Sequence, residues 1–398
     1  MRSVRWLRLG ISATLLSLFS ASGCAQQHAQ TVKKNNPSGT WSFAVSGDSR
    51  NCGNIVMPAI AADVRKQNAA FYWHLGDLRA IYKVDEDYAS EQRFKAFSPP
   101  PSINDYLHTA WNDFSQHQVQ PFGDMPFFLG IGNHETIAPK TRDQFLIEFQ
   151  PLLSRPELNE QRKADTTLLA GMDRGLAPRT YYHWIEHGVD FINLDNATND
   201  AFDVAQVAWF NAVVDADIAN SKVSAIVVGM HESLPYSLSD SHSMCGSTSG
   251  RESGLKAYAK LVEAQSKHKH VYVLSSHSHY YLAHIYDTPH WRDPQNGGGV
   301  LPGWVVGTAG AERYPLPAGV EPGNDAKEHV YGYLLGTVER NGEIRFAFHE
   351  LNEAELQATR GPDYLPETVS FCVAKNPDPE KLRAKRPSES TCETAARE

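Results

Sequence analysis

Five times along this chain a short apolar run ends close to a small residue and is followed by side chains able to bind a metal. The runs are "FAVSGDSR", ending at Asp48; "FYWHLGDL", at Asp77; "FFLGIGNHE", at Asn133, His134 and Glu135; "AIVVGMHE", at His231; and "VYVLSSHSH", at His277 and His279. Continuous apolar runs of this length read as strands buried on both faces. In α/β proteins ligands sit outside the carboxyl ends of such strands, so the residues that follow are candidates for one shared site.

The remaining pattern fills in the elements between these runs. Strands are expected over 41–46, 69–75, 127–131, 181–185, 189–194, 225–229 and 271–274, and apolar residues at helical spacing predict helices over 54–68, 204–219 and 254–267. Strand–helix–strand units with acids at both strand ends imply a parallel sheet. Two long connections interrupt the series. Residues 79–125 are aromatic and polar, with a predicted helix over 104–118, and read as an insertion forming a pocket wall. Residues 141–178 open with a helix over 141–150 and continue through a Gly/Pro-rich stretch. The segments "YYLAHIY", "GWVVGTAG", "YGYLLGTVE" and "EIRFAFHEL" make the last third β-rich. Beyond about residue 360 the composition turns to Lys, Glu, Pro and Ser, and 356–398 is expected to be a polar appendage outside the core.

Composition narrows the class. The chain has 398 residues, 41% hydrophobic and 21% charged, enough for one large core or two modest ones. A formal net charge of −9 and the lack of a Lys/Arg run exclude a nucleic-acid polymer gripped through its phosphates. Arg2, Arg5 and Arg8 precede a short apolar stretch over 9–19, too short to span a bilayer, which closes on Ala21-Ser22-Gly23-Cys24. This resembles a bacterial lipoprotein signal. It predicts removal of 1–23, a lipid on Cys24, a polar tether over 24–40 and an exported domain over 41–355. Export would place the protein on the periplasmic side of a membrane, or outside the cell, with the lipid as its sole membrane contact. Four cysteines then remain in an oxidising compartment, and they can pair in three ways. Cys372 with Cys392 is the expected staple of the tail, which leaves Cys52 with Cys245.

Carboxylate, amide and imidazole groups without thiolate suit Mn, Fe or Zn. Two such ions a few ångström apart can clamp the attacking and leaving oxygens of an in-line displacement, and phosphate esters carry the charge such a clamp stabilises. The five ordered motifs, with "YYHWIEHGVDFINLDN" and "QVAWFNAVV" between them, resemble the calcineurin-like metallophosphoesterases, which include the purple acid phosphatases.

That resemblance covers roughly 41–350 and implies a four-layer α/β/β/α sandwich of two mixed sheets. It also implies two metal ions and a metal-bridging hydroxide that attacks a small phosphate ester, monoesters before diesters. Carried over motif by motif, Asp48 and His279 would bind the first metal, Asn133, His231 and His277 the second, and Asp77 would bridge them. His134 would act as the general acid beside the substrate. Three residues depart from the pattern. Arg50 stands where many members have a first-metal histidine, which leaves that metal short of a ligand and offers a guanidinium to a phosphate oxygen. Ala80 stands where the purple acid phosphatases have a tyrosine, with Tyr82 two positions on. Ser276 replaces a glycine. Glu135 is expected to brace the Asn133-His134 turn and Asp195 to hold its loop, while His74, His183, His187 and, on its first reading, His242 are ordinary. His242 is a candidate for the pocket wall. A rival reading keeps the fold and loses the chemistry, leaving a binding lipoprotein.

Overall fold

The computed structural model describes residues 39–95, 101–168, 177–239, 242–374 and 392. The signal segment, Cys24 and most of the tether lie outside the described residues. Among the described residues no helix is long and apolar enough to cross a membrane.

Among the described residues twelve strands form two sheets. They are β1 (Trp41–Ser46), β2 (Tyr72–His74), β3 (Phe127–Leu129), β4 (Tyr182–Glu186), β5 (Val189–Asn193), β6 (Ala225–Gly229), β7 (His270–Ser275), β8 (Tyr281–Ala283), β9 (Gly303–Val306), β10 (Ala326–Lys327), β11 (Tyr331–Val338) and β12 (Ile344–Leu351). One sheet runs β12-β11-β1-β2-β3 and the other β10-β8-β9-β7-β6-β5-β4. Strands β1, β2 and β3 are parallel neighbours, as are β5, β6, β7 and β9, while the outer pairings are antiparallel. Both sheets are therefore mixed, as the resemblance implied.

Side-chain alternation along β5, β6 and β7 builds the layers. Phe191, Val227 and Leu274 join the core shared with Phe43, Phe71 and Phe128 of the first sheet, and Ile192, Val228 and Val273 join a second core. A strand that feeds two cores must be apolar at every position, which is why these runs lack the polar alternation of a half-exposed strand. Helices Val204–Ala219 and Thr248–Ser266 cover the second core through Trp209, Phe210, Val213, Tyr258 and Leu261. Helix Gly53–Lys66 covers the outer face of the first sheet, with Met57 Sδ 3.5 Å from the Tyr72 hydroxyl. The result is helix, sheet, sheet, helix. Between the sheets the filling is aromatic: Phe128 stacks on Trp184 at 3.8 Å, and Phe43 meets Phe191 edge-on at 4.9 Å.

Three expectations are corrected. The stretch after residue 150, read as Gly/Pro-rich connection, carries the helix Pro156–Leu168, whose mean hydropathy is too low for its apolar spacing to stand out. The polar tail does not begin at 356. Helices Glu353–Thr359 and Pro366–Ala374 and the turn between them pack Leu356, Val369 and Tyr364 into the first core, a few apolar anchors in an otherwise polar composition. The disulfides are Cys52–Cys372 and Cys245–Cys392, not the pairing expected from proximity along the chain. With helix Pro366–Ala374 packed beside the loop after β1, Cys372 lies 5.9 Å from Cys52 between Cα atoms.

The insertion over 79–125 docks through charge. Arg79, wholly buried, donates to Asp87 Oδ1 at 2.8 Å and to Asn54 Oδ1 at 2.7 Å, with Asp85 at 3.5 Å and Asp113 in contact. A buried guanidinium is tolerated when its charge is paired this closely with carboxylates. Its predicted helix is Ile103–Phe114, continued by a wider turn over Ser115–Val119.

His183 lies between Asp165 and Asp190, 2.8 and 2.7 Å away. Burial disfavours its charged form, but Asp190 and Asp165 outweigh burial and raise it from 6.5 to about 10. Asp217 is pushed up to about 9 by burial and by Asp190. The stabilisation from charged His183 is complete below 6.5 and is lost as pH climbs to about 10. Raised Asp217 acts in the same direction, since the unfolded chain ionises it first. Thermal stability should therefore decline from pH 7 to 10, and His183→Gln should flatten that slope in melts across pH; an unchanged slope would show that the cluster does not set it. Removing Cys52 and Cys372 together as alanines should cost about 2–4 kcal/mol, read from urea midpoints.

Candidate metal centre

The carboxyl ends of β1, β2, β3, β6 and β7 open onto one place, and the five motif loops meet there. Asp48, Asp77 and His277 have φ of +59°, +59° and +65°. Non-glycine residues adopt this left-handed backbone at a cost, and the cost is typical of side chains held for a site. Gly132 passes so close to Asp77 that a Cβ on it would sit 2.3 Å from Oδ1, so only glycine lets the third loop lie against the second. Glu135, fully buried, locks the same two loops. Its carboxylate accepts from the N–H groups of Gly132, Asp77 and Leu78 at 2.8, 2.9 and 2.9 Å. This is the brace expected from the sequence.

The first cluster is rich in lone pairs. His231 Nε2 lies 3.0 Å from Asn133 Oδ1, 3.0 Å from His277 Nδ1 and 3.3 Å from Asp77 Oδ1. The other ring nitrogen of His231 donates towards the Leu75 carbonyl at 3.0 Å, which aims Nε2 inward, an outer-shell device common to metal-binding histidines. Asp77, His231 and His277 can present one ligand atom each to a common point. Burial works against charge on His231, yet Asp77, through charge and hydrogen bonding, and Asp48 hold its imidazolium up to about 10. Asp77 Oδ2 has no hydrogen-bond partner despite being buried. Acceptor atoms crowded this closely, with one left orphaned, are what a bound cation satisfies. This set fits a metal.

The second cluster is different. Asp48 Oδ1 and His279 Nε2 lie 3.3 Å apart, and the Nδ1–H of His279 donates to the Glu312 carbonyl at 2.5 Å. Facing them is Arg50, whose Nη2 lies 3.1 Å from His279 Nε2 and whose Nε lies 3.7 Å from Asp77 Oδ2. The structure thus brings all six expected ligands together, but it puts a guanidinium against those assigned to a first metal.

His134 sits on the rim. Its Nδ1–H donates to the Ala80 carbonyl at 2.6 Å, leaving Nε2 3.5 Å from Asp77 Oδ2. Burial pulls it below the usual histidine value, Asp77 opposes this, and Arg50 adds to it.

The architecture is similar to that of solved structures. A purple acid phosphatase, PPD1 from yellow lupin (Lupinus luteus), superposes with a TM-score of 0.50 at 15% identity over 82% of this chain and 57% of that one. The chain has the calcineurin-like metallophosphoesterase fold. It spans less than two thirds of the lupin protein. PhoD gives 0.43 at 12% identity, covering 79% of this chain and 72% of that one, and a dimetal phosphatase from Danio rerio gives 0.39 at 11%, covering 77% and 98%. No protein-family profile and no curated protein sequence matches the chain.

Several residues around this metallophosphoesterase-fold site went unread in the sequence. Tyr314, from the loop after β9, stacks on His279 at 4.0 Å and hydrogen-bonds Arg50. Glu232 reaches within 3.6 Å of His277 Nε2. Tyr314 carries no motif and arrives through loop geometry, whereas Glu232 closes the His231 run and is given no role there. Ser276, the departure from glycine, is put to use: its hydroxyl donates to the Leu75 carbonyl at 3.0 Å and lies 3.1 Å from His231 Nδ1. His242, read from the sequence as ordinary with the pocket wall as its second reading, stands 4.9 Å from the His277 ring. Tyr82 lies 5.4 Å from the His134 ring and half-exposed. Asp195 is held by a bidentate bridge from Arg142 at 2.7 and 2.8 Å, a loop anchor.

A second acidic group, Glu91, Asp113 and His117, belongs to the Arg79 network, with Glu91 paired to Arg93. Beside it opens a cavity of about 950 Å³ lined by Pro58, His117 and Tyr364, and none of the expected site residues lines it.

Replacing Glu135 with alanine strands three buried N–H groups at about 1–3 kcal/mol each. The expected loss is at least about 3 kcal/mol in urea unfolding, with Glu135→Gln losing less; an unchanged midpoint would remove Glu135 from this role.

Proposed function

We propose that this chain is a metal-dependent phosphoric ester hydrolase acting on small phosphate esters, monoesters before diesters. We also propose that it is exported and tethered by a lipid on Cys24. The observation that carries the reading is the convergence of Asp77, Asn133, His231 and His277 on one point, with Arg50 and His134 alongside.

Asp77, Asn133, His231 and His277 would hold a cation, with Asp48 and His279 completing the polar wall. When bound, the cation supplies Lewis-acid stabilisation of the charge that develops on phosphoryl oxygens. Arg50 offers N–H donors to one of those oxygens and, being permanently charged, suits a dianionic monoester better than a monoanionic diester. His134, oriented by its bond to Ala80, delivers a proton from Nε2 to the leaving oxygen. Glu135 and Gly132 keep Asp77 and His134 in register while this happens.

Hydrolysis of p-nitrophenyl phosphate should exceed that of the bis ester and should vanish on chelation. His134→Ala should lower kcat about 10²–10⁴-fold with metal content unchanged. Because burial holds His134 below its usual value of 6.5, its acid form is depleted as pH rises, and turnover should be greater on the acid side of that value. Loss of metal from His134→Ala would assign it a ligand role instead. No metal and no hydrolysis after reconstitution would favour the binding lipoprotein.

A further inference from the structure

The guanidinium of Arg50 faces the residues to which the sequence resemblance assigns a first metal. Its Nη2 faces His279 Nε2 at 3.1 Å, the nitrogen left inward once Nδ1 has bonded Glu312, and its Nε faces the orphaned Asp77 Oδ2 at 3.7 Å. These are atoms the sequence assigned to a first metal and its bridge. Tyr314 closes the remaining side, its ring on His279 and its hydroxyl on Arg50.

Nor does the loop leave Arg50 room to withdraw. Asp48 N–H donates to the Gly76 carbonyl, Ser49 N–H to Asp77, Asn51 N–H to the Asp85 carboxylate and Cys52 N–H to Gly310, at 2.6–3.1 Å, and Cys52 is disulfide-bonded. Arg50 itself is 7% exposed. A guanidinium keeps its proton at any accessible pH, so it cannot yield its charge to an arriving metal as an imidazolium can. Among the described residues, Asp77, His231 and His277 form a group able to converge on a cation, whereas Asp48 and His279 do not enter one.

We infer that the centre is mononuclear: one metal on Asp77, Asn133, His231 and His277, and Arg50 as a fixed cation in place of the second. This rests on the metal-dependent reading above and departs from the pair of ions that the sequence resemblance implies. Asp48 and His279 then serve as positioning residues for Arg50, and Asp77 spans a metal and a guanidinium.

The test is metal stoichiometry on the full chain reconstituted with Mn(II), read by elemental analysis and by electron paramagnetic resonance. Wild type should hold one equivalent per chain and give the six-line spectrum of an isolated ion. Arg50→His, which supplies the missing imidazole and removes the charge, should hold two and show exchange coupling; Arg50→Ala, leaving space instead, should also admit a second ion. Two equivalents with a coupled spectrum in wild type would overturn the inference while leaving the metal-dependent reading standing. Folded Arg50 variants that stay at one equivalent would overturn it too. Wild type without metal or hydrolysis would sink the underlying reading itself. Should the variants fail to fold, the wild-type stoichiometry and spectrum decide alone.

Discussion

The site depends on the spacing between two sheets. Asp48, Asp77 and Asn133 hang from the ends of β1, β2 and β3, while His231, His277 and His279 hang from β6 and β7 of the other sheet. What fixes their separation is the aromatic filling, with Phe43, Phe71 and Phe128 pressed on Trp184 and Phe191. Rings are stiff and incompressible on the scale of a ligand bond, so a close-packed aromatic layer sets distances that aliphatic packing would leave looser. Trp73 belongs to this layer and also hydrogen-bonds Asn193 at 3.0 Å, tying one sheet to the other through a polar contact.

Much of this was legible in the chain. Buried strands announce themselves as unbroken apolar runs, and the ordered recurrence of metal-capable side chains after them pointed to a shared site. All six expected ligands, together with His134 and Arg50, do gather, and Glu135 and Asp195 take the bracing roles assigned to them. What escaped was set by tertiary packing. Tyr314 enters from a loop whose course no periodicity encodes. The tail helices rest on four or five apolar anchors scattered among charges, too few to outweigh composition. Cysteine pairing failed for a related reason: proximity in sequence is a weak guide once a terminal helix folds back onto the first loop. Arg50 was visible as a departure, but only its distances to His279 and Asp77 reveal which neighbours it serves.

Charge is handled differently on the two sides of Asp77. On the His231 side positive charge is exchangeable, since an imidazolium can release its proton to make way for another cation. On the Arg50 side it is permanent. A carboxylate placed between an exchangeable and a permanent charge keeps its own ionisation whatever binds, and Asp77 is held well below the usual carboxylate range by His134, His231 and Arg50 despite complete burial.

The pairing of first and last parts of the chain has a consequence for synthesis. Strand β1 carries the Asp48 loop, yet it lies between β2 and β11, and Cys52 waits for Cys372, 320 residues later. A chain made from its amino end exposes the first motif long before its neighbours exist. The earliest residues of the site are therefore among the last to be secured. Until β11 and the final helices emerge, β1 offers an unpaired apolar edge, the kind of surface that holding chaperones protect.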